Sequence, residues 1–201
     1  MIIIDPIKNE ENFSFSTSIT FPRTTTITHG VYDNKVDMAN MISLISRNIK
    51  ERNQTNVKGG KTDWQFFNDK PELDRFINYL VRKHKNSCEL FSEENWKVNN
   101  IHVSAWGNEI KKGEYVDLHI HECYHLILYL TEGSPLVLPE LKIQIKPMVG
   151  SYYIFEPYIK HCVPPSESDR NRYNLVVNIE KRPNWDNKNL IENSLKRKNQ
   201  G

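Results

Sequence analysis

Between Trp96 and about Glu180 the hydrophobic period of the chain is two, and the polar side of that alternation does not look like a face meant for water. In residues 115–130 the odd positions include Asp117, His119, His121, Cys123, His125 and Tyr129, whereas the even ones include Val116, Leu118, Ile120, Leu126, Leu128 and Leu130. Residues 172–179 set Arg172, Asn174 and Asn178 opposite Tyr173, Leu175, Val177 and Ile179. Residues 101–108 set His102, Ser104, Trp106 and Asn108 opposite Ile101, Val103 and Ala105. Strand side chains alternate between two faces, so each set belongs to one side of a sheet. An ordinary half-exposed sheet offers Lys, Glu and Thr to solvent. Histidines, an arginine and aromatics in those places predict a barrel with a polar, ligand-holding interior, its apolar outside covered by helices.

The covering helices are legible upstream. Residues 36–52 carry Met38, Met41, Ile42, Leu44, Ile45 and Ile49 at helical spacing. Residues 71–85 place Leu73, Phe76, Ile77, Leu80 and Val81 on one face, with Pro71 at the start and Asp69 as the expected cap. Short β-rich runs at 2–4, 13–19 and 24–28 precede them, and 54–63 reads as a polar, glycine-containing connection. Strands are expected at 98–110, 115–130, 141–146, 151–155 and 172–180, with a turn or bulge near Glu122 able to shift the register of the second. The fold class is therefore mainly β with some helix, in one domain over 1–182: a helical and strand part at 1–95 and a β core at 96–182. A polar, basic tail follows at 183–201.

Composition removes several classes. A net charge of +2 gives no reason to expect nucleic acid or a membrane surface as partner. No window approaches the roughly 18 uncharged apolar residues of a membrane helix, and the opening Met-Ile-Ile-Ile-Asp-Pro lacks the basic start of a secretion signal. The cysteines Cys88, Cys123 and Cys162 are odd in number and form no CxxC. These features predict a soluble cytoplasmic protein, in a host cytoplasm if phage-encoded. Nothing in the sequence specifies an oligomeric state.

Gly113-Glu-Tyr-Val-Asp-Leu-His119-Ile-His121 brings two imidazoles to one strand face, and a third from a distant strand, in Phe155-Glu-Pro-Tyr-Ile-Lys-His161, can close one side of a metal ion. Open positions would remain for oxygen and a substrate. An inward arginine can hold a carboxylate through a bidentate pair. The bland alternative for each histidine is a hydrogen-bonded structural residue, and that is the default for His29, His84 and His102. Trp64 and Trp106 are either a cavity wall or plain core.

The ordered set Trp106-Gly-Asn108, Lys112-Gly113-Glu114, His119-x-His121, Tyr129-Leu130, Gly150-Ser-Tyr-Tyr-Ile-Phe155, Pro157-x3-His161 and Arg172-x-Asn174 resembles the 2-oxoglutarate- and Fe(II)-dependent oxygenases. It is most similar to their small prolyl-hydroxylase-like branch of marine phages and bacteria. The likeness spans about Trp106 to Glu180, with a weaker match at Thr62-Asp-Trp64. It implies a double-stranded β-helix (a jelly-roll, cupin-like core) buttressed by the N-terminal helices. It further implies Fe(II) on His119, His121 and His161, with O2 and 2-oxoglutarate as co-substrates. Arg172 would pair with the distal carboxylate of 2-oxoglutarate, helped by Tyr129, while His125 and Asn174 line the same pocket. Trp106, Asn108 and Asn178 would face the primary substrate.

The implied reaction is hydroxylation of an unactivated C–H, coupled to decarboxylation of 2-oxoglutarate to succinate. The prolyl-hydroxylase likeness makes a protein or peptide side chain such as proline the expected substrate. Two departures stand out. Most of the superfamily has H-x-D/E where this chain has H-x-H, which leaves Asp117 and Glu122 as alternative second ligands; and Asn174 replaces the usual serine. A cupin-type metalloenzyme without 2-oxoglutarate and a non-catalytic binding barrel fit the same histidines.

Overall fold

The structure, a computed structural model, describes residues 2–4, 13–17, 23–53, 55–86, 88–91 and 101–181. The N-terminal part contains β1 (Ile2–Ile4), β2 (Phe13–Thr17), β3 (Arg23–Val31), α1 (Lys35–Arg47), β4 (Glu51–Arg52), β5 (Val57–Lys58), β6 (Gly60–Lys61) and α2 (Pro71–His84). The C-terminal part contains β7 (Ile101–Ile110), β8 (Tyr115–His119), β9 (Tyr124–Tyr129), β10 (Leu136–Leu138), β11 (Ile143–Ile145), β12 (Ser151–Phe155), β13 (His161–Val163) and β14 (Arg172–Lys181). The tail at 183–201 and the expected strand residues 18–19 and 98–100 lie outside the described residues.

Two sheets result, one of eight strands in the order β2-β3-β12-β9-β14-β7-β6-β4 and one of six in the order β1-β11-β10-β13-β8-β5. They remain separate, so the architecture is a two-sheet jelly roll and not the closed barrel expected from the alternation. The reason lies in the run 115–130, which is two strands. β8 belongs to the smaller sheet and β9 to the larger, and residues 120–123 carry the chain across. The stretch between β12 and β13 crosses in the opposite direction, and Tyr158 N–H donates to the His121 carbonyl at 2.8 Å, tying the two crossings together.

In the larger sheet the alternation does what the sequence predicted. Leu126, Leu128, Leu130, Leu175, Val177, Ile179 and Ala105 point outward and pack against Met38, Met41 and Ile45 of α1 and Leu73, Phe76, Ile77 and Leu80 of α2. Burial of each such side chain contributes about 1.5–3 kcal/mol. The inner face is partly apolar too: Ile27, Ile110, Ile127, Tyr153 and Phe155 meet Val116, Leu136, Leu138, Ile143, Ile145 and Val163 of the smaller sheet.

The helices start and stop for local reasons. Asn34 caps α1 by accepting from the Asp37 backbone N–H at 3.1 Å. The helix ends earlier than its apolar spacing suggests, because Asn48 turns both its backbone N–H (to Ile45 O) and its side-chain amide (to Leu44 O) onto the last carbonyls. The next residues pair instead as strand: Glu51 and Arg52 lie opposite Lys61 and Gly60, so the expected loop at 54–63 carries two short strands of its own. At α2 the cap position is Lys70, which makes no side-chain cap bond, and Asp69 pairs with the Lys70 ammonium at 2.7 Å. Pro71, whose missing N–H needs no partner at the first helical position, makes that tolerable. Arg75 of α2 grips the buried Asp37 of α1 through the Nε–Nη2 edge of its guanidinium (3.0 and 2.6 Å), which fixes the helix pair over the sheet.

α1 crosses the sheet at Gly107, where an added Cβ would sit 2.1 Å from Ile45 Cγ1. Substituting Gly107→Ala should therefore destabilise the protein by about 1–3 kcal/mol through overpacking. Urea midpoints of the two proteins measure this, and an unchanged midpoint would mean that α1 does not press on β7 there.

Candidate metal and anion site

β8 and β13 run antiparallel with His119 directly opposite His161 and Val116 opposite Val163. Three steps on β8 thus match two on β13, which is a bulge, and it turns Val116 and His119 to the same inner side. Leu118 and Ile120 face out and are 56% and 44% exposed. The odd-position rule therefore fails in β8 and holds only from β9 onward. His121 lies in the crossing segment and not on the strand with His119. The i, i+2 spacing brings the two rings together through the end of a strand and the turn that follows it.

One nitrogen from each of His119, His121 and His161 falls within 4.8 Å of the others. The His119 and His121 Nε2 atoms are 3.1 Å apart, and the His119 and His161 rings are 4.2 Å apart. Backbone carbonyls orient two of the rings: His119 Nδ1–H donates to Asp117 O at 2.8 Å, and His161 Nδ1–H donates to Ile159 O at 2.9 Å. Their Nε2 lone pairs are thereby left for a common point, the arrangement a metal ligand needs. Burial, reinforced by the neighbouring rings, pushes His121 down to about 3 and His161 down to about 4; burial alone lowers His119, against the opposing pull of Asp117. The three rings are neutral at pH 7, the form in which an imidazole can hold a cation. Neither alternative carboxylate joins them: Asp117 reaches out to Lys58 at 3.4 Å, and Glu122 is exposed.

A fourth ring completes the cluster. His125 stacks on His121 with centroids 3.7 Å apart and planes 12° from parallel. It lies opposite Asn178 in the β9–β14 register, and its Nδ1 is 2.9 Å from Asn178 Oδ1. Asn178 Nδ2 in turn lies 3.3 Å from His121 Nδ1. Asn178 thus turns to the imidazoles and does not line the cavity beside them.

That cavity is bordered by His119, His121, His125 and His161 at one end and by Arg172, Asn174 and Asn108 at the other, with Trp106 and Trp64 along one wall. It offers about 40 Å³ to the centres of water molecules, where one water takes about 10–15 Å³. No carboxylate among the described residues lines it. Arg172 is only 2% exposed, its Nε has no hydrogen-bond partner, and no ion pair to it occurs among the described residues. Tyr129 lies just behind, with its ring centroid 5.2 Å from the Arg172 Cζ. Its hydroxyl meets no partner at hydrogen-bond geometry, and burial raises its pKa against the opposing pull of the guanidinium. Trp106 Nε1 and Asn108 Oδ1 are also buried without partners. A buried guanidinium is costly unless an anion meets it.

Several contributors were not singled out in the sequence. Asn56 and Val57 reach the cavity because β5 adds to the edge of β8, and Leu136 and Val163 reach it from strands too short to show a period. Trp64, 47% exposed, stands edge-on to Trp106 at 4.5 Å with the Lys61 ammonium 3.3 Å above its ring, so both tryptophans form wall. The remaining histidines do not line the cavity. His84 is buried against the Tyr152 hydroxyl at 2.7 Å, His29 stacks on Tyr153, and His102 sits half-buried near Ser104. The three cysteines are free and half-buried.

No family model and no curated protein matches the chain. Solved structures do resemble it. The viral collagen prolyl hydroxylase of Paramecium Bursaria Chlorella virus-1, in its 2OG complex, superposes with a TM-score of 0.53 at 14% identity, covering 75% of this chain and 94% of that one. A Pseudomonas putida prolyl-4-hydroxylase gives 0.58 at 11% identity, covering 78% and 93%. HygX from Streptomyces hygroscopicus, with nickel and 2-oxoglutarate bound, gives 0.56 at 9% identity, covering 78% and 82%. At these identities the likeness is one of fold: the chain has the double-stranded β-helix architecture of those proteins. No helix among the described residues is long and apolar enough to cross a membrane.

The depressed histidines carry a consequence for stability. An unfolded histidine titrates near 6.5, whereas His121 and His161, and also the buried His84 at about 4, titrate lower in the fold. The unfolded chain therefore binds more protons between those limits, so stability is complete above about pH 6.5 and declines as pH falls toward 4. Urea midpoints of metal-free protein at pH 7.5 and pH 5 should differ in that direction. Equal midpoints would place these rings in water.

Proposed function

We propose that the chain is an Fe(II)- and 2-oxoglutarate-dependent oxygenase that hydroxylates an unactivated C–H, with a protein or peptide side chain such as proline as substrate. One observation carries the reading: three neutral imidazoles converge in the same cavity, which no carboxylate among the described residues lines, as a buried guanidinium whose Nε is unpaired. The first group suits a divalent transition metal, and the second suits a carboxylate held away from that metal. The fold is shared with a viral and a bacterial prolyl hydroxylase, which supports the substrate class.

In this reading His119, His121 and His161 hold the iron, and the carbonyls of Asp117 and Ile159 keep two of them in the tautomer that leaves Nε2 free. When bound, Fe(II) supplies the activation of O2 that links decarboxylation of 2-oxoglutarate to hydroxylation. Arg172 binds the distal carboxylate of the co-substrate, and the Tyr129 ring behind it holds the guanidinium in place. Asn174 and Asn108 offer further polar contacts on the inner face of the sheet. Ile127, Val176, Leu136 and Val163 exclude water from the cavity floor. Trp106 and the exposed Trp64 give the primary substrate an aromatic wall at the mouth.

Anaerobic addition of Fe(II) and 2-oxoglutarate should produce a visible charge-transfer band. His161→Ala should abolish it, and His102→Ala, away from the cavity, should leave it intact. Arg172→Ala should weaken 2-oxoglutarate binding about 10- to 100-fold, because hydrogen bonds to charged groups contribute about 1.5–3 kcal/mol. A protein that forms no band, or whose affinity for 2-oxoglutarate ignores Arg172, is not an oxygenase of this class.

A further inference from the structure

Arg172 is the buried cation of the cavity, and the residues on either side of it are tied to one carboxylate on the opposite face of the sheet. Glu109 lies directly across from Tyr173 in the β7–β14 register, so these two side chains share the outer face while Arg172 lines the cavity. Glu109 is itself buried, and its Oε1 accepts from the Tyr173 hydroxyl at 2.6 Å and from the Asn171 amide at 3.1 Å. Its other oxygen, Oε2, pairs with Arg52 of β4 and, at 3.6 Å, with Lys111. Arg52 also reaches Glu114 at 2.8 Å, so the carboxylate that holds both neighbours of Arg172 is anchored in turn.

The backbone is clipped at the same place. The Thr131 hydroxyl donates to the Asn171 carbonyl at 3.2 Å and accepts from the Tyr173 N–H at 2.7 Å. One side chain thus holds the peptide groups before and after Arg172. Gly133 adds a steric wall, since a Cβ there would sit 2.8 Å from the Arg172 Cβ and 3.0 Å from its Cδ. The loop after β9 therefore lies along the aliphatic stem. None of these contacts uses the guanidinium itself, which no ion pair among the described residues holds. A long side chain fixed by its stem and backbone has little rotamer freedom left to lose when an anion arrives.

We propose that Glu109 and Thr131 are positioning residues for the co-substrate: from outside the cavity they hold Arg172 ready for a distal carboxylate, and so set the affinity for 2-oxoglutarate without touching it. The proposal rests on the oxygenase reading given above. Glu109 acts through the side chains of Asn171 and Tyr173, and Thr131 through the backbone between them. A frame of this kind affects only those ligands that use Arg172. A merely structural role would affect every ligand of the cavity alike.

Two variants test it. Tyr173→Phe keeps the ring and removes the hydroxyl that Glu109 holds, and Thr131→Val keeps the shape and removes the backbone clip. Calorimetry on Ni(II)-loaded protein measures affinity for 2-oxoglutarate and for oxalate, which can chelate a metal but carries no distal carboxylate for Arg172. Each variant should bind 2-oxoglutarate about three- to tenfold more weakly, the order expected when one long side chain must be ordered on binding, and oxalate within about twofold of wild type. Arg172→Ala is the reference, losing 2-oxoglutarate and keeping oxalate. Beside that loss, an unchanged 2-oxoglutarate affinity in either variant, or equal losses for the two ligands, overturns the positioning role alone. A wild type that takes up no Ni(II) or no 2-oxoglutarate, or an Arg172→Ala that binds it like wild type, overturns the oxygenase reading and the positioning role together. If one variant does not fold, the other decides by the same contrast.

Discussion

The pairing of His119 with His161 across β8 and β13 is the contact on which the cavity depends. It joins two segments more than forty residues apart in sequence, and it fixes two imidazoles at ring distance through backbone hydrogen bonds and not through side-chain preference. The bulge beside it keeps Val116 and His119 on one side, so the apolar floor and the first imidazole come from the same short strand. A ladder without that extra residue would turn either the valine or the histidine toward solvent.

A polar interior of this kind is expensive, and the fold offsets the cost elsewhere. The outer face of the larger sheet is sealed by two helices and is largely apolar, so β7, β9 and β14 can carry Trp106, Asn108, His125, Arg172, Asn174 and Asn178 at their inner positions. The register places these in facing rows: Asn174 lies between Asn108 and Tyr129, and Asn178 lies beside His125. Neutral imidazoles avoid the penalty that buried charges would carry. Arg172 is the exception, a buried cation with no anion beside it among the described residues.

Much of this was legible in the chain because the relevant elements are long. β7 and β14 have ten residues each, and α1 and α2 more than that, so their periods are unambiguous and the inward rows could be read directly. The illegible parts are short or depend on a partner. β4, β5, β6, β10 and β13 have two or three residues, too few to show alternation, and exist because a neighbouring edge receives them. The run 115–130 looks continuous because hydrophobic residues straddle the crossing; only the pairing of β8 with one sheet and β9 with the other divides it. Asn178 was legible as inward but not as a bridge, since its two partners come from different segments. Asp69 failed as a cap because the cap position falls one residue later, at Lys70.

His121, at the position where the oxygenases that the sequence resembles mostly carry an acid, changes the electrostatics of the whole cavity. Three neutral rings would leave a divalent cation with its full charge, and Arg172 adds another, with no carboxylate among the described residues on the lining to offset either. The cavity would then hold about three positive charges in a space sized for a few waters, at low effective dielectric. A dicarboxylate is the small ligand that offsets most of that charge while spanning from the imidazoles to the guanidinium. An acidic residue in place of His121 would remove one of those charges and weaken the demand for a dianion. The same substitution would take away the Nδ1 that Asn178 touches, so the neutral ligand and the amide bridge belong to a single arrangement.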